Sequence, residues 1–258
     1  MKNLILRILD LANKGGEGHV PSSLSILDIL DTLYERFINK NKLNKFILSK
    51  GHGCLSFYAV LEKYKVVKNL DDFCSFNSNF GGHPDKNKIT GVESSTGSLG
   101  HGFPFACGIS MAKKIKNEKG KIFVLIGDGE CNEGTIWETL LLASHHKLNN
   151  LICIVDKNKS TDRVLKIDNL KKKFNSFNWD CVEINGHDKK ALIKSVKLQK
   201  KKPLAIIAKT IKGKGVPFME NNPEWHHKKI DKSTIDKFKL FLNKGENNSL
   251  IQFLNYTN

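Results

Sequence analysis

Lys121-Ile122-Phe123-Val124-Leu125-Ile126-Gly127-Asp128-Gly129 and Asn150-Leu151-Ile152-Cys153-Ile154-Val155-Asp156-Lys157-Asn158 are the two stretches on which the fold turns. Lys121–Ile126 and Asn150–Val155 are short runs with almost no polar residue. A strand of that kind has both faces covered, as strands in parallel sheets do. Between them Glu133–His145 carries helical apolar spacing, long enough for a crossover that keeps both strands parallel. Each run ends abruptly in polar residues, Gly127-Asp128-Gly129 after the first and Asp156-Lys157-Asn158 after the second. In parallel sheets ligands bind outside the carboxyl ends of strands, where such loops gather.

Working outward, the pattern repeats. Phe46-Ile47-Leu48 reads as a strand running into Gly51-His52-Gly53, Asp180–Ile184 as a third buried strand and Pro203–Ala208 as a fourth. Helices are expected at Leu4–Ala12, Leu24–Phe37, Leu55–Tyr64, Phe103–Ile115 and Lys189–Leu198, with Ser22 and Ser23 as N-caps of the second. Phe80–Gly102, rich in glycine, serine and threonine, reads as loop. The expected fold class is α/β, three layers with a mostly parallel central sheet flanked by helices. The whole chain, 1–258, reads as a single domain that ends in a surface helix and tail at about 233–258.

Composition narrows the function. Forty-two Lys and Arg against 26 Asp and Glu give a net charge of +16, which invites a nucleic-acid reading. Only Arg7, Arg36 and Arg163 are arginines, however, and arginine is the residue of bidentate base and phosphate recognition. The lysines are spread along the chain, so nucleic acid is not an expected partner. No run of about 18 apolar residues suggests a membrane span, and the N-terminus lacks a signal-peptide pattern, so a cytoplasmic protein is expected. Six cysteines without a Cys-x-x-Cys pair read as small buried hydrophobes in a reducing compartment.

The chemistry begins at Asp128. A carboxylate at the end of a buried strand, flanked by glycines that admit a phosphate to the backbone N–H groups, suits a hard cation and its anionic ligand. Twenty-eight residues separate Gly129 from Asn158, and one strand–helix–strand unit returns Asn158 beside Asp128. A carboxylate, an amide oxygen, a backbone carbonyl and diphosphate oxygens make an octahedral Mg2+ site.

Gly-Asp-Gly followed at that interval by Asn resembles the signature of thiamine diphosphate enzymes. The run Gly127–Glu138 with Ala143–Leu151 resembles transketolase, and more closely the N-terminal, diphosphate-binding subunit of transketolases divided between two chains. Further blocks agree in order: Gly18-His19, Ser49-Lys50-Gly51-His52-Gly53, Gly81-Gly82-His83-Pro84-Asp85, Ser95–Gly102, Asn185-Gly186-His187-Asp188, Lys209–Gly215, Met219-Glu220-Asn221 and Trp225-His226. Together they span roughly residues 4 to 230.

The resemblance implies roles residue by residue. Asp128 and Asn158 would bind Mg2+ through side chains and Ser160 through its backbone carbonyl. Gly129 would contact the diphosphate, and Gly97 and Leu99 would lie beside the aminopyrimidine. His52 and His226 would contact cofactor or substrate near the thiazolium. His19 and His83 would bind sugar hydroxyls and move protons, work that suits histidine near neutral pH. Glu133 and Glu138 would belong to a carboxylate network joining two active sites, and His101, where many transketolases have glutamine, would touch the cofactor. His145, His146 and His187 read as structural or solvated.

The implied activity is transfer of a two-carbon ketol unit from a ketose phosphate to an aldose phosphate, chemistry of the pentose phosphate pathway. The implied partner is a C-terminal chain carrying the pyrimidine-binding domain and the phosphate-gripping arginines, in a dimer of heterodimers. Two alternatives stand beside it: half of a related thiamine enzyme, deoxyxylulose-phosphate-synthase-like or a specialised sugar-pathway ketolase, and a non-catalytic protein retaining the fold. Beyond His101, the sequence departs from the family at three places. Val20-Pro21-Ser22-Ser23 replaces a glycine pair after His19, Thr161 stands where glutamine is frequent, and His227 follows His226 in place of glycine. The last leaves the choice between the two histidines open, with His226 favoured.

Overall fold

The computed structural model describes residues 1–16, 18–162 and 164–243. Five strands form one sheet: β1 (Lys45–Leu48), β2 (Ile122–Gly127), β3 (Leu151–Lys157), β4 (Asp180–Asn185) and β5 (Leu204–Lys209), in the order β1-β2-β3-β5-β4. Every adjacent pair is parallel, with Val124 opposite Ile47 on one side and Cys153 on the other. The expected strands are all present. The run after Asn150 extends further than expected, through Lys157, so Asp156 is the penultimate residue of β3 rather than part of the loop.

Alternate residues along each strand serve opposite cores. Phe123, Leu125, Ile152, Ile154, Leu204 and Ile206 face helices α1 (Lys2–Gly15), α2 (Val20–Leu33), α3 (Cys54–Lys63), α7 (Lys189–Val196) and α8 (Lys232–Asn243). Ile122, Val124, Ile126, Cys153, Val155, Ala205 and Ile207 face α4 (Gly102–Ile115), α5 (Gly134–His145) and α6 (Leu170–Ser176). Burying a Leu, Ile or Phe completely contributes ~1.5–3 kcal/mol, which is why β2, β3 and β5 carry no polar residue before their carboxyl ends. The result is the expected three-layer α/β arrangement.

The layering also opens the site. The chain leaves β1 into α3 on one face and leaves β2 into α5 on the other. Adjacent strands whose connections diverge leave a crevice at their carboxyl ends. Ser49–Gly53 and Gly127–Glu130 therefore form its two lips.

Several local expectations are corrected. Ser22 and Ser23 are not N-caps: α2 begins at Val20 with Pro21 in its first turn and His19 as N-cap, and both serines are buried inside it. The helix is buried nearly all round, serines included, so its apolar periodicity does not mark its start. It gives way to a π-helical turn at Tyr34–Ile38 rather than continuing to Phe37. Helix α6 was not expected, since Leu170 and Phe174 are its only buried residues among lysines. Helix α8 lies where the surface helix was placed but sinks Ile235, Phe238 and Phe241 into the core; the tail from 244 onward lies outside the described residues. Five of the six cysteines, all but Cys74, are buried. No described helix is long and apolar enough to cross a membrane.

Candidate active site

A cleft of about 460 Å3 lies between the lips. His19, His52, His83, Gly97, Leu99, Asp128, Gly129, Asn158, Ser160 and His226 all line it, together with Lys50, Glu130 and Lys212. His101, Glu133 and Glu138 do not. His101 is exposed with Nδ1 3.0 Å from the Leu99 carbonyl oxygen, and both glutamates are exposed around the start of α5.

The floor is built at the ends of β2 and β3. Asp128 begins a 3-10 turn, Gly129–Asn132, and its two oxygens accept backbone N–H bonds from Gly129 at 2.8 Å and Lys159 at 2.6 Å. Burial pushes its carboxyl above the usual range, and the neighbouring Asp156 charge adds to this, against those N–H bonds and Lys50. Asn158 is buried; its amide nitrogen donates to Asp156 and its oxygen accepts from the Ser160 N–H at 3.0 Å. One carboxylate, one amide oxygen and a nearby backbone carbonyl are hard oxygen donors that leave coordination positions for phosphate oxygens and water, a set that fits Mg2+. Among the described residues no group of three or more His, Cys, Asp or Glu gathers as a transition-metal site.

Beneath the floor lie groups to which the motifs in the sequence assign no role. Asp156 and Lys50 form a fully buried ion pair at 2.5 Å. Burial alone would raise the Asp156 carboxyl, but the Lys50 ammonium and the hydroxyls of Thr210 and Ser25 hold it below the usual range. Glu130 crosses the crevice. It accepts the Ser49 hydroxyl and the Gly100 N–H on Oε1 and the Gly127 N–H on Oε2. Burial raises its carboxyl in spite of these donors. No local signal marks either acid, since most of their partners are remote in sequence.

The walls are imidazoles. His19, as N-cap of α2, stands with ring centroid 5.3 Å from His52, 5.7 Å from His226 and 4.6 Å from His227. His226 lines the cleft and Lys212 Nζ donates to its Nδ1 at 2.8 Å. His83 leans on Gly97, where a Cβ would stand 3.2 Å from the ring. His187 is held away from the cleft, between Asp28 at 2.8 Å and the Ile211 N–H at 2.9 Å, a structural clamp. Burial, then the charge of Lys50, pushes His52 down to about 2, and burial and Lys50 bring Lys212 down to about 8.

A neutral His52 has a measurable consequence. In the unfolded chain it takes up a proton below pH ~6.5, and in the folded chain it does not. Stability should therefore fall as pH drops below ~6.5, by up to ~1.4 kcal/mol per pH unit from this group. His52→Gln should flatten that part of the curve in urea titrations at pH 5, 6 and 7. Equal slopes in the two proteins would show that His52 is not the group concerned.

A cleft at the carboxyl edge of a parallel sheet, with a floor of hard oxygen donors, flanking lysines and histidine walls, suits an anionic cofactor. The chain belongs to the transketolase family: residues 2–249 match the family described as transketolase, thiamine diphosphate binding domain. It is 41% identical over 233 residues to one of the subunits of the apulose-4-phosphate transketolase of Actinobacillus succinogenes, covering 84% of each chain. It is 34% identical over 246 residues to 6-deoxy-6-sulfo-D-fructose transketolase subunit SqwG of a Clostridium species, covering 88% of this chain and 90% of that one. Among solved structures, the transketolase of Campylobacter jejuni superposes with a TM-score of 0.83 at 30% identity, over 93% of this chain and 42% of that one. The chain thus spans about two fifths of that transketolase.

Proposed function

We propose that this chain is the diphosphate-binding subunit of a two-chain, Mg2+-dependent transketolase, which moves a two-carbon ketol unit from a ketose phosphate to an aldose phosphate. The observation that carries the reading is the convergence of Asp128, Asn158 and Ser160 with His19, His52, His83 and His226 in one cleft. Thiamine diphosphate, when bound, supplies the carbon nucleophile that takes up and releases the two-carbon unit.

The chain's own residues bind, orient and move protons. Asp128, Asn158 and the Ser160 carbonyl hold Mg2+, and Gly129 admits the diphosphate to the backbone. Lys50 and Lys212 flank that anion, which favours the charged form of Lys212. Gly97 and Leu99 form the side of the cleft for the aminopyrimidine. His19 and His83 bind sugar hydroxyls and move protons near neutral pH, and His52 and His226 contact cofactor or substrate near the thiazolium. Glu133 and Glu138, outside the cleft, belong to a carboxylate network that joins two active sites across an interface, and the partner subunit supplies the pyrimidine-binding domain. Two copies of each chain assemble as a dimer of heterodimers in the cytoplasm.

The names of the relatives favour a specialised donor over the common pentose phosphate substrates. Apulose 4-phosphate and 6-deoxy-6-sulfofructose are named for proteins that this chain covers by more than four fifths. The Val20-Pro21-Ser22-Ser23 segment behind His19, where a glycine pair is frequent, shapes the same donor side.

The chain purified alone with thiamine diphosphate and Mg2+ should show no ketol transfer, and co-purification with its partner should raise the rate by several orders of magnitude. A coupled assay with xylulose 5-phosphate, apulose 4-phosphate and 6-deoxy-6-sulfofructose as donors reads both results. Enzyme-like turnover by the single chain would overturn the two-chain reading.

A further inference from the structure

Asp156 lies beneath the floor of the cleft, sealed from solvent. It is 0% exposed, and its ion partner Lys50 is 1% exposed. A buried ion pair is not a reliable source of stability, because apolar residues of similar volume fill such a space about as well. The other buried residues of β3 are apolar, so a carboxylate at its end calls for a reason beyond packing.

The reason lies in what the carboxylate accepts. Its Oδ2 takes Lys50 Nζ at 2.5 Å, the Ser25 hydroxyl at 2.7 Å and the Asn158 amide nitrogen at 2.8 Å, and its Oδ1 takes the Thr210 hydroxyl. These four donors come from α2, the loop after β1, the loop after β3 and the loop after β5. A carboxylate offers about four acceptor positions and no donor, and four donors meet this one. An amide facing it must turn its NH2 inward. The Asn158 oxygen then faces away from Asp156, where the Ser160 N–H meets it at 3.0 Å. Both neighbours select the same orientation.

We propose that Asp156 is a positioning residue for the cation site: it locks the Asn158 amide with its NH2 inward and its oxygen free to face a cation. This rests on the Mg2+ reading of Asp128 and Asn158. An amide free to rotate by half a turn presents NH2 to the cation, which repels it; a locked amide presents oxygen in every molecule. Outer partners that orient a ligand in this way typically contribute 10–100-fold to metal affinity.

Two variants test it in the assembled two-chain protein: Asp156→Asn, and the pair replacement Lys50→Met with Asp156→Leu, which leaves no uncompensated buried charge if the single variant fails to fold. Mg2+ affinity at saturating thiamine diphosphate, read by calorimetry, should fall by ~10–100-fold in both. Adding Asn158→Asp to the pair replacement should recover most of the loss, because a carboxylate presents an oxygen in either orientation. A general weakening of the fold is not repaired that way. In the cofactor-free chain, exchange of the Asn158 side-chain NH2, followed by NMR, should be slow in the parent and fast in both variants. Unchanged Mg2+ affinity, a loss that Asn158→Asp leaves in place, or unchanged NH2 exchange would each overturn the proposal. If the parent assembly binds neither Mg2+ nor thiamine diphosphate, the functional reading falls by itself, and the NH2 exchange still decides whether Asp156 locks the amide.

Discussion

Asp128→Ala should abolish cofactor binding by the assembled protein. Asp128 is the anionic member of the floor's donor set, and hard divalent cations depend on carboxylate oxygens. Losing a ligand itself should cost more than the ~100-fold that loss of an outer partner can cost. In calorimetry with thiamine diphosphate and Mg2+, the heat of binding should vanish at concentrations that saturate the parent. Thermal unfolding gives a second reading: a ligand at about 100 times its Kd stabilises by ~2.7 kcal/mol, and the variant should lose that shift. The substitution also leaves the N–H groups of Gly129 and Lys159 without their acceptor. Some loss of stability without cofactor, ~1–3 kcal/mol, is therefore expected, and the cofactor-induced shift rather than the absolute midpoint is the quantity to compare. A variant that binds with the parent's affinity would remove Asp128 from the site.

The second large effect concerns folding. Glu130→Ala should destabilise the chain by ~3–5 kcal/mol, measured as the change in urea unfolding free energy. Glu130 is 1% exposed and accepts three hydrogen bonds, from Ser49, Gly100 and Gly127. A buried donor without a partner costs ~1–3 kcal/mol. The Ser49 hydroxyl can rotate to another acceptor, but the two backbone N–H groups cannot. Gly100 adds rigidity: its φ is +81°, and a Cβ there would stand 2.5 Å from the Thr135 hydroxyl, so this backbone has little room to turn its N–H elsewhere. Glu130→Gln should cost less, since Oε1 still serves Ser49 and Gly100 while its NH2 faces the Gly127 N–H. A loss below ~1 kcal/mol for the alanine variant would show that water takes over all three donors.

Both residues stand within three positions of each other, yet they differ in how far the sequence reveals them. Asp128 follows a fully apolar strand and sits between two glycines, and Asn158 follows the next strand after one helical crossover. That information is local and periodic, so the strands, their parallel pairing and the floor of the site were legible from residues 121–158. The histidines of the cleft were found through the blocks around them, which a family resemblance can match. Glu130 lies in the same run, but its partners Ser49 and Gly100 are 81 and 30 residues away. Asp156 looked like loop because the apolar run ends at Val155, and its ion partner is 106 residues distant. Ser22 and Ser23 illustrate the converse failure: a local capping signal was present, but burial on every side of α2 decided where the helix starts. His101 and Glu133 share matching blocks with residues that do line the cleft, and only the direction of each side chain from the folded backbone separates the two groups.

The sequence by itself thus determined the layered parallel fold, the end of the sheet that carries chemistry, and the carboxylate–amide pair there, because strand burial and strand-end loops leave a short-range pattern. The tertiary structure decided which buried charges support that pair, which amide orientation they impose, and which histidines share a wall. Those depend on groups that are remote along the chain and meet only when β1, β2, β3 and β5 align their ends, and on low-dielectric burial that no window of sequence records.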